Sequence, residues 1–529
     1  MYRPNLIALL MLCSLTALAQ PASTDSLQVV NDLQVFADPL ALTLKKGVKQ
    51  ARIDRMQNAA LRATALALRN KNYLSAYRSA DYSAWLSPEA LGRELMIGDG
   101  YSRYENATGI YLPEGNQVVL VSGIAAGKKV ELLVPNWNRH APPGIVPTED
   151  PAGWGIVKQS FQLKNGVNVV PVGKAGGLAY ISYYSDRPEG EKTIRVHFPN
   201  AQVNGYFDIT RNNDADWNQL LQKAVYPMID AKGRHIQIVY PVADCEKYAH
   251  NRGVELISNY DSLVFRQHRL LGLIKYNRVP KNHILARVNF NYYMFRDEDG
   301  VAYMGTSPGN AMPLVVDPSR VIKGDPCWGF SHEVGHVHQV RPALNWGGLG
   351  EVSNNIFALY VTTSFGNRSR LSEQDNYKKA KDSIISQQKC YLQDKDVFNR
   401  LVPFWQLQLY FSGPGMYPDF YPDLFESIRK EAADERQKTG DQKTGGWGDR
   451  GENPASWQLA FVEKVCAVGK TDLTEFFEQY GFFKTGSFAF DDYGDYHYNM
   501  TTEMVAATKA RIAAMKLPAP KMDLSSLKD

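Results

Sequence analysis

The spacing of apolar and polar positions changes along the chain and divides it into regions. Between residues 27 and 95, apolar side chains recur every three or four positions among Lys and Arg, as in LTLKKGVKQARIDRMQNAALRATALALRNKNY. This spacing places the apolar side chains on one face of a helix. Because the charges are scattered around that helix, the pattern favours a solvated helical region packed on a neighbouring domain over a helix lying on a membrane surface.

From about residue 100 to 210, the pattern becomes short β-branched runs separated by turn signals. The runs are ATGIYLPEGNQVVLVSG, KKVELLVPNW, KNGVNVVPVGKAGGLAYISYY and KTIRVHFPNAQVNGYF. Asn165-Gly166 and Asn204-Gly205 are typical of tight hairpin turns. We therefore predict an antiparallel β-sandwich. Three tyrosines either bind glycans as exposed aromatic side chains or line the sandwich core. They are Tyr180, Tyr183 and Tyr184.

After Trp217 the pattern is mixed and then mainly helical, with the apolar strands HIQIVYP and HILARVNFNYYMF on the way. Residues 430–452 are rich in Lys, Gly, Asp and Gln, a composition that predicts a mobile surface loop. The expected fold class is α+β with three folded parts followed by a flexible tail. These parts are an N-terminal helical region (20–95), a β-sandwich (96–212), a mainly helical domain (213–515) and the tail (516–529).

Length and charge narrow the possible functions. The chain has 529 residues, of which 44% are hydrophobic and 22% are charged, so we expect a globular protein of two or three domains. Lys and Arg number 59 against 55 Asp and Glu, without a long basic run. This balance gives little electrostatic support for nucleic-acid binding, and we predict no nucleic-acid partner. The sequence does not define an oligomeric state.

The N-terminus, MYRPNLIALLMLCSLTALAQ, has the pattern of a signal peptide. Arg3 precedes a mainly apolar run from Leu6 to Leu18, and Ala17-Leu18-Ala19 fits a cleavage site before Gln20. The alternative is an uncleaved anchor, but the run is shorter than the roughly 20 residues of a spanning helix. We therefore predict a signal peptide over residues 1–19 and an exported chain without a transmembrane segment, whether secreted, periplasmic or on the cell surface.

Five cysteines are spread widely along the chain. Lipidation at Cys13 is disfavoured because the preceding Leu10, Met11 and Leu12 are bulky. The other four can pair in an exported protein, but the absence of a CxxC spacing argues against a cysteine-ligated zinc site. They are Cys245, Cys327, Cys390 and Cys466.

The stretch CWGFSHEVGHVHQVRPALNWGGLGEVSNNIF, residues 327–357, carries the candidate chemistry. On a helix, His332 and His336 lie about 40° apart and share a face, whereas His338 falls near 240° and points elsewhere. The first two side chains can therefore bind one ion. Glu333 flanks their face, where it can take a proton from a water that the metal activates.

A third ligand is expected from the residues that follow. Pro342 should end the helix, and the glycines after it allow a tight return. A second, antiparallel helix beginning near Glu351 would bring that carboxylate to the histidines. The HExxHxxGxxH alternative is excluded because Gln339 and Pro342 occupy the positions of its glycine and last histidine. Two imidazoles and a carboxylate leave a fourth position open, which is typical of one catalytic Zn²⁺ ion.

The same residues closely resemble the signature of the M60, or enhancin-like, metallopeptidases. That signature is WGxxHExGHxxQ followed by GEVxNN, and the upstream ATGIYLPEG and GGLAYISYY also look like the β-rich segment of the family. The resemblance covers roughly residues 100–480. The matching residues are Trp328-Gly329, His332 to His336, Gln339, Gly350 to Val352 and Asn354-Asn355.

The resemblance implies a zincin-like (gluzincin) catalytic domain in an exported zinc endopeptidase. Its expected substrates are heavily O-glycosylated proteins such as mucins. In that family pattern, His332, His336 and Glu351 are the zinc ligands and Glu333 is the general base.

Other positions are open to more than one interpretation. Gln339 lies near 340° on the histidine face, so it contacts substrate, steadies His336 or simply faces solvent. Asn355, one turn beyond Glu351, can hydrogen-bond a ligand histidine. No oxyanion stabiliser stands out, although a Tyr, His or Arg after residue 400 can serve. The substrate backbone is expected at an edge strand near AYMG, residues 302–305.

Two other functions remain open. One is a general zinc endopeptidase that ignores glycans, although its aminopeptidase form would need a motif such as GxMEN, which the sequence lacks. The other is a non-catalytic glycan-binding surface protein. The glutamate at position 333 argues against this second alternative, because binding alone requires no proton acceptor there.

Overall fold

The structure, a computed structural model, describes residues 24–98, 100–439 and 453–529. The predicted signal peptide, residues 1–19, lies outside these residues. None of the helices within the described ranges is long and apolar enough to cross a membrane.

The N-terminal helical region packs against one sheet of a β-sandwich. Val29, Ile53 and Leu61 form a small core with Val118 and Leu120 of that sheet. This packing agrees with the interpretation of the helices as amphipathic and docked on a neighbouring domain. The helices are α1 (Thr24–Leu33), α2 (Gln50–Asp54) and α3 (Ala59–Arg69).

The β-sandwich consists of two antiparallel sheets and includes one short helix, α4 (Pro88–Leu95). Its strands are β1 (Ser79–Tyr82), β2 (Trp85–Leu86), β3 (Asn106–Leu112), β4 (Gly115–Ser122), β5 (Glu131–Pro135), β6 (Lys158–Gln162), β7 (Gly166–Val172), β8 (Gly177–Ser182), β9 (Tyr184–Ser185), β10 (Ile194–His197) and β11 (Gln202–Val203). The sheet orders are β1-β10-β4-β7 and β11-β3-β8-β5-β6, while β2 and β9 form a separate parallel pair. Alternate residues of the two sheets, such as Val119 and Ile181, meet in one core.

The sandwich begins earlier than predicted, because β1 lies within the region expected to be helical, residues 20–95. Its sequence, SADY, has weak strand propensity, and the strand exists through its pairing with β10 in the register Ala80↔Val196. Tyr180 and Tyr183 are each only 1% exposed. The alternative in which these two side chains bind glycans as exposed aromatics is therefore wrong.

The next domain is built on a six-stranded mixed sheet in the order β12-β13-β14-β15-β17-β16. Its strands are β12 (Phe207–Asp208), β13 (Met228–Lys232), β14 (Ile236–Pro241), β15 (Ile284–Asn289), β16 (Met294–Asp297) and β17 (Gly300–Met304). Because β12 pairs with β13, the domain starts before residue 213. Residues 302–305 were expected at a sheet edge, but β17 pairs on both sides, with β15 and β16. The edge strand is β16.

Helices and one hairpin complete this domain, which agrees with the predicted α+β class. The helices are α5 (Asp214–Lys223), α6 (Val242–Tyr248), α7 (Gly253–Leu270), α8 (Met312–Val315), α9 (Pro318–Val321), α10 (Gly324–His338), α11 (Ser353–Ser364), α12 (Arg370–Glu373), α13 (Asn376–Ala380), α14 (Val397–Ser412), α15 (Phe420–Thr439), α16 (Pro454–Gly469), α17 (Thr474–Gln479) and α18 (Thr502–Ala514). The hairpin strands are β18 (Gly486–Asp491) and β19 (Asp495–Met500).

Two segments expected to be flexible have defined structure. Helix α15 continues through the first part of the predicted loop 430–452, where Ala, Glu, Arg and Lys favour a helix, while residues 440–452 lie outside the described ranges. The C-terminal tail is docked, since Asp529 accepts hydrogen bonds from Tyr377 Oη at 2.8 Å and Trp405 Nε1 at 2.5 Å. The prediction of a flexible tail was therefore wrong. All four cysteines in the described ranges are buried and free.

Candidate metal centre

Helices α10 and α11 meet at a close crossing that brings the candidate ligands together. Gly335 makes this crossing possible, because a Cβ atom at that position would lie 2.4 Å from the Asn354 carbonyl oxygen. Helix α10 ends at His338, and Gln339 already has extended backbone with φ −58° and ψ 121°. The chain then returns through a glycine-rich loop to Glu351, two residues before α11.

His332, His336 and Glu351 converge as the sequence analysis expected. Glu351 Oε2 lies 3.2 Å from His332 Nε2 and 3.4 Å from His336 Nε2. One ligand atom from each of the three residues lies within 4.8 Å of the others, so this group could hold a metal ion. His338, predicted to point elsewhere, bonds through Nδ1 to Gln267 Oε1 at 2.7 Å instead.

The Nδ1 atoms of both histidines are held by side-chain amides. His332 Nδ1 donates to Asn355 Oδ1 at 2.8 Å, and His336 Nδ1 donates to Gln339 Oε1 at 3.2 Å. Because an amide oxygen can only accept, each Nδ1 carries the proton and each Nε2 keeps its lone pair for a ligand. The two rings are therefore in the tautomer that metal binding requires.

Gln339 also ties the return loop to the histidine helix. Its side chain is fully buried, so the solvent-facing alternative is wrong. Its Nε2 donates to the Gly350 carbonyl at 2.8 Å and to Ser353 Oγ at 2.9 Å. One side chain therefore links the position of His336 to that of Glu351.

Asn354 was not singled out by the sequence analysis as a functional residue, although it forms part of the GEVxNN pattern. Its Nδ2 lies 3.0 Å from His336 Nε2 and 3.3 Å from His332 Nε2. Its Oδ1 is buried and has no hydrogen-bond partner in the described part of the chain. The imidazole nitrogens and the Glu351 carboxylate thus surround one point, and this donor set fits a zinc ion, while Asn354 Nδ2 lies beside them.

The pKa values of the two glutamates at the site, Glu333 and Glu351, are shifted in opposite directions. Glu333 is 6% exposed, and its burial, only partly offset by His336 and His332, raises the pKa of its carboxyl above the ordinary value. Burial also acts to raise the pKa of Glu351, but the influence of the neighbouring His332 and His336 outweighs burial and holds that pKa below the usual range. A neighbouring pair of carboxyls with opposite shifts suits a proton-transferring group beside a permanently ionised one.

The three candidate ligands line a cleft of about 700 Å³ to which several parts of the chain contribute. Strand β16 forms one side. Trp154, from the sandwich loop between β5 and β6, stacks on Phe295 with ring centroids 4.4 Å apart and keeps 56% of its surface exposed. The ion pair between Arg139 and Asp150, at 2.6 Å, braces this loop. The sandwich therefore provides a wall of the cleft.

Tyr493, in the turn between β18 and β19, also lines the cleft. Its hydroxyl donates to Glu351 Oε1 at 2.7 Å. No sequence pattern indicates Tyr493 or Trp154 as site residues, because neither lies in a motif and both are more than a hundred residues from the histidines.

The chain matches known proteins in both of its larger domains. The family profile described as "Peptidase M60, enhancin and enhancin-like" matches residues 201–481, and the profile of the N-terminal domain of M60-like peptidases matches residues 86–197. A comparison with curated proteins gives no match.

Solved structures share the fold. A metallopeptidase from Bacteroides thetaiotaomicron is 23% identical with a TM-score of 0.76, and the match covers 97% of this chain and 83% of that one. A metallopeptidase in complex with Tn antigen is 24% identical with a TM-score of 0.70, covering 86% and 80%. The M60 catalytic domain of Clostridium perfringens ZmpC, in complex with the sialyl T antigen, is 14% identical with a TM-score of 0.60, covering 85% and 82%.

The first family profile alone spans more than half of the 529 residues, and its range contains the helix pair that carries His332, His336 and Glu351. The second profile falls on the sandwich that supplies the cleft wall. The resemblance found in the sequence is thus confirmed, and the chain belongs to the M60, enhancin-like family of metallopeptidases.

Proposed function

We propose that this protein is an exported zinc endopeptidase that hydrolyses peptide bonds in O-glycosylated proteins such as mucins. The observation that carries the proposal is the convergence of His332, His336 and Glu351 beside the buried carboxyl of Glu333 in an open cleft. Export rests on the predicted signal peptide.

His332, His336 and Glu351 would hold one zinc ion, which supplies a Lewis acid that polarises the scissile carbonyl and acidifies water. Glu333 then takes the proton of the attacking water and delivers it to the leaving amine. Its raised pKa supports this role, because a buried carboxyl holds the proton between the two transfers more readily than an exposed one.

Edge strand β16 offers backbone groups to an extended substrate. The Tyr293 carbonyl accepts from Met304 N–H at 2.8 Å, so every second residue of this strand bonds to β17. By this alternation, the backbone groups of Met294 and Arg296 face away from β17, towards the cleft. A peptide that adds here as a further strand would pass beside the metal site.

Glycan selectivity is supported by the character of the cleft wall. Trp154 presents an aromatic face, and Glu298 and Asp299 line the same cleft with carboxylates. Sugar rings pack their C–H faces on aromatic rings, and their hydroxyls donate to carboxylates. Two proteins with the same fold form complexes with the Tn and sialyl T antigens, which are consistent with such a substrate.

The test is mass spectrometry of a mucin-type O-glycopeptide and its unglycosylated twin after incubation with the protein. We expect cleavage of the glycopeptide alone, lost on zinc chelation and in Glu333→Gln, and retained in the surface control Glu373→Gln. Glu333→Gln should keep its zinc while losing about 10²- to 10⁴-fold in rate. Cleavage of both peptides would favour the general endopeptidase, and cleavage of neither would favour the non-catalytic binding protein.

A further inference from the structure

A second groove, of about 1110 Å³, runs along the seam between the β-sandwich and the catalytic domain. It shares no described lining residue with the cleft at the metal site. The groove borders β12 and β13, whereas the cleft borders β16 at the opposite edge of the same sheet. Five strand spacings of about 4.8 Å separate these edges by roughly 24 Å, so the groove is a separate place on the molecule.

Aromatic side chains form fixed walls in this groove. Trp85 Nε1 donates to Asn106 Oδ1 at 2.9 Å, which fixes the indole ring. The Arg211 guanidinium lies over the Tyr206 ring at 4.5 Å, and Tyr77 meets the same ring edge-on at 5.7 Å. A ligand ring would therefore meet aromatic surface whose orientation is already set.

The acidic residues of the groove are neutralised by neighbours. Glu105, which is 2% exposed, is paired with His283 Nδ1 at 2.7 Å and lies 3.5 Å from Lys232 Nζ. Asp81 accepts from Arg195 Nε at 2.7 Å. The carboxylates therefore leave little uncompensated negative charge in the groove.

Two exposed cations at the groove remain without a carboxylate partner among the described residues. Arg234 and Lys281 both line the groove and take part in none of the ion pairs of that part of the chain. Both cations belong to the catalytic domain, whereas the aromatic residues Tyr77 and Trp85 belong to the N-terminal part of the chain. The side chain of Asn212 also lines the groove, and its amide N–H groups can donate to a hydroxyl.

We propose that this groove is a second, non-catalytic binding site for an acidic saccharide. Its sugar ring would pack on Trp85 and Tyr206, and its carboxylate or sulfate would pair with Arg234 and Lys281. The assignment rests on the proposed function, because the site would hold one glycan of a glycoprotein while another segment of the same molecule lies in the cleft. Such bivalent contact raises the effective concentration of substrate at the metal site.

The proposal is tested by titrating the Glu333→Gln protein with sialyllactose, a sulfated N-acetyllactosamine and neutral lactose. We expect the acidic sugars to bind at least about tenfold more tightly than lactose, with an affinity that falls as salt is added. The double variant Arg234→Ala/Lys281→Ala should weaken that binding about tenfold. Both substituted residues are exposed, so folding is retained. The control is the double variant Lys46→Ala/Arg52→Ala, which removes two surface cations outside the groove lining, one in α2 and one before it. It should leave the affinity for the acidic sugars unchanged. Binding of only one of the two acidic sugars would identify carboxylate or sulfate as the recognised group.

Three results would overturn the assignment. They are equal binding of lactose and the acidic sugars, equal binding of an oligoglutamate peptide, and loss of binding in the cleft variant Trp154→Ala but not in the groove variant. Cleavage of a short O-glycopeptide, which is too small to reach both sites, tests the proposed peptidase function separately. The groove variant should cleave that peptide at the rate of the unmodified protein.

Discussion

The Tyr493 hydroxyl bonds to Oε1 of Glu351, while Oε2 of the same carboxylate faces the two histidines. The next residue back, Asp492, accepts hydrogen bonds from the backbone N–H groups of Gly348 and Gly350 at 2.9 and 3.1 Å. The hairpin of β18 and β19 thus fixes both the loop that carries Glu351 and the orientation of its carboxylate. This hairpin lies beyond residue 481, where the match to the family profile ends.

Tyr493→Phe should weaken zinc binding about tenfold, because partners that orient a metal ligand typically contribute this much. Competition with a chromogenic chelator measures the affinity directly, without reference to peptide cleavage. The matched control is Tyr293→Phe, a change at an exposed tyrosine whose hydroxyl has no hydrogen bond among those described. Equal affinities of Tyr493→Phe and the control would show that the hairpin does not position Glu351.

Asn355→Ala should lower zinc affinity by about 10- to 100-fold. The substitution removes the oxygen that holds the proton on His332 Nδ1, so Nε2 loses the defined tautomer that leaves its lone pair free. Chelator competition measures this loss as well. Asn168→Ala, at a buried amide in the sandwich, is the control and should reduce stability while leaving zinc affinity unchanged. Parallel losses of affinity in the two variants would contradict the prediction.

Contacts between residues close together in the sequence could be predicted from it, whereas contacts between distant residues could not. The geometry of His332, His336 and Glu351 depends on helical spacing and one short connection, so local rules were sufficient to bring them together. Tyr493 is 142 residues from Glu351, and no local pattern indicates that pairing. Strand β17 was misplaced at the sheet edge for a similar reason, since its position depends on parallel pairing with β15.

Gly335→Ala tests the close crossing of α10 and α11. Alanine normally favours a helix over glycine by up to about 1 kcal/mol. Here we expect the opposite sign, a destabilisation of about 1 to 3 kcal/mol, because the new methyl group would meet the Asn354 carbonyl and push the helices apart. Urea unfolding measures this change, and zinc affinity should fall with it. At Gly190 a Cβ atom meets nothing within 4 Å, so Gly190→Ala should be close to neutral. A stabilised Gly335→Ala protein would contradict the account of this crossing.

Asp230 should make the stability of the protein depend on pH. It is 2% exposed at the seam between the domains, where it accepts from Tyr180 Oη at 2.6 Å and Gln237 Nε2 at 2.9 Å. Burial raises its pKa to about 6, against about 3.9 in an unfolded chain. The folded protein therefore binds the proton more tightly than the unfolded chain does. Protonated Asp230 therefore contributes to the stability of the folded protein. This stabilisation is fully present below about pH 4 and is lost as the pH rises through 6, a change of about 3 kcal/mol in the free energy of unfolding.

Asp230→Asn stays neutral at every pH, so it should lack this dependence. Urea unfolding of both proteins across the range from about pH 4 to about pH 7 measures the difference. We expect the stability of the variant, relative to the unmodified protein, to rise steadily over that range, whereas Asp54→Asn, at an exposed carboxylate of α2, should show a constant difference. The rise is expected because deprotonation of Asp230 places a charge beside Tyr180 in the seam, where burial makes ionisation costly. A constant difference for Asp230→Asn as well would mean that the seam accommodates the ionised carboxylate without cost.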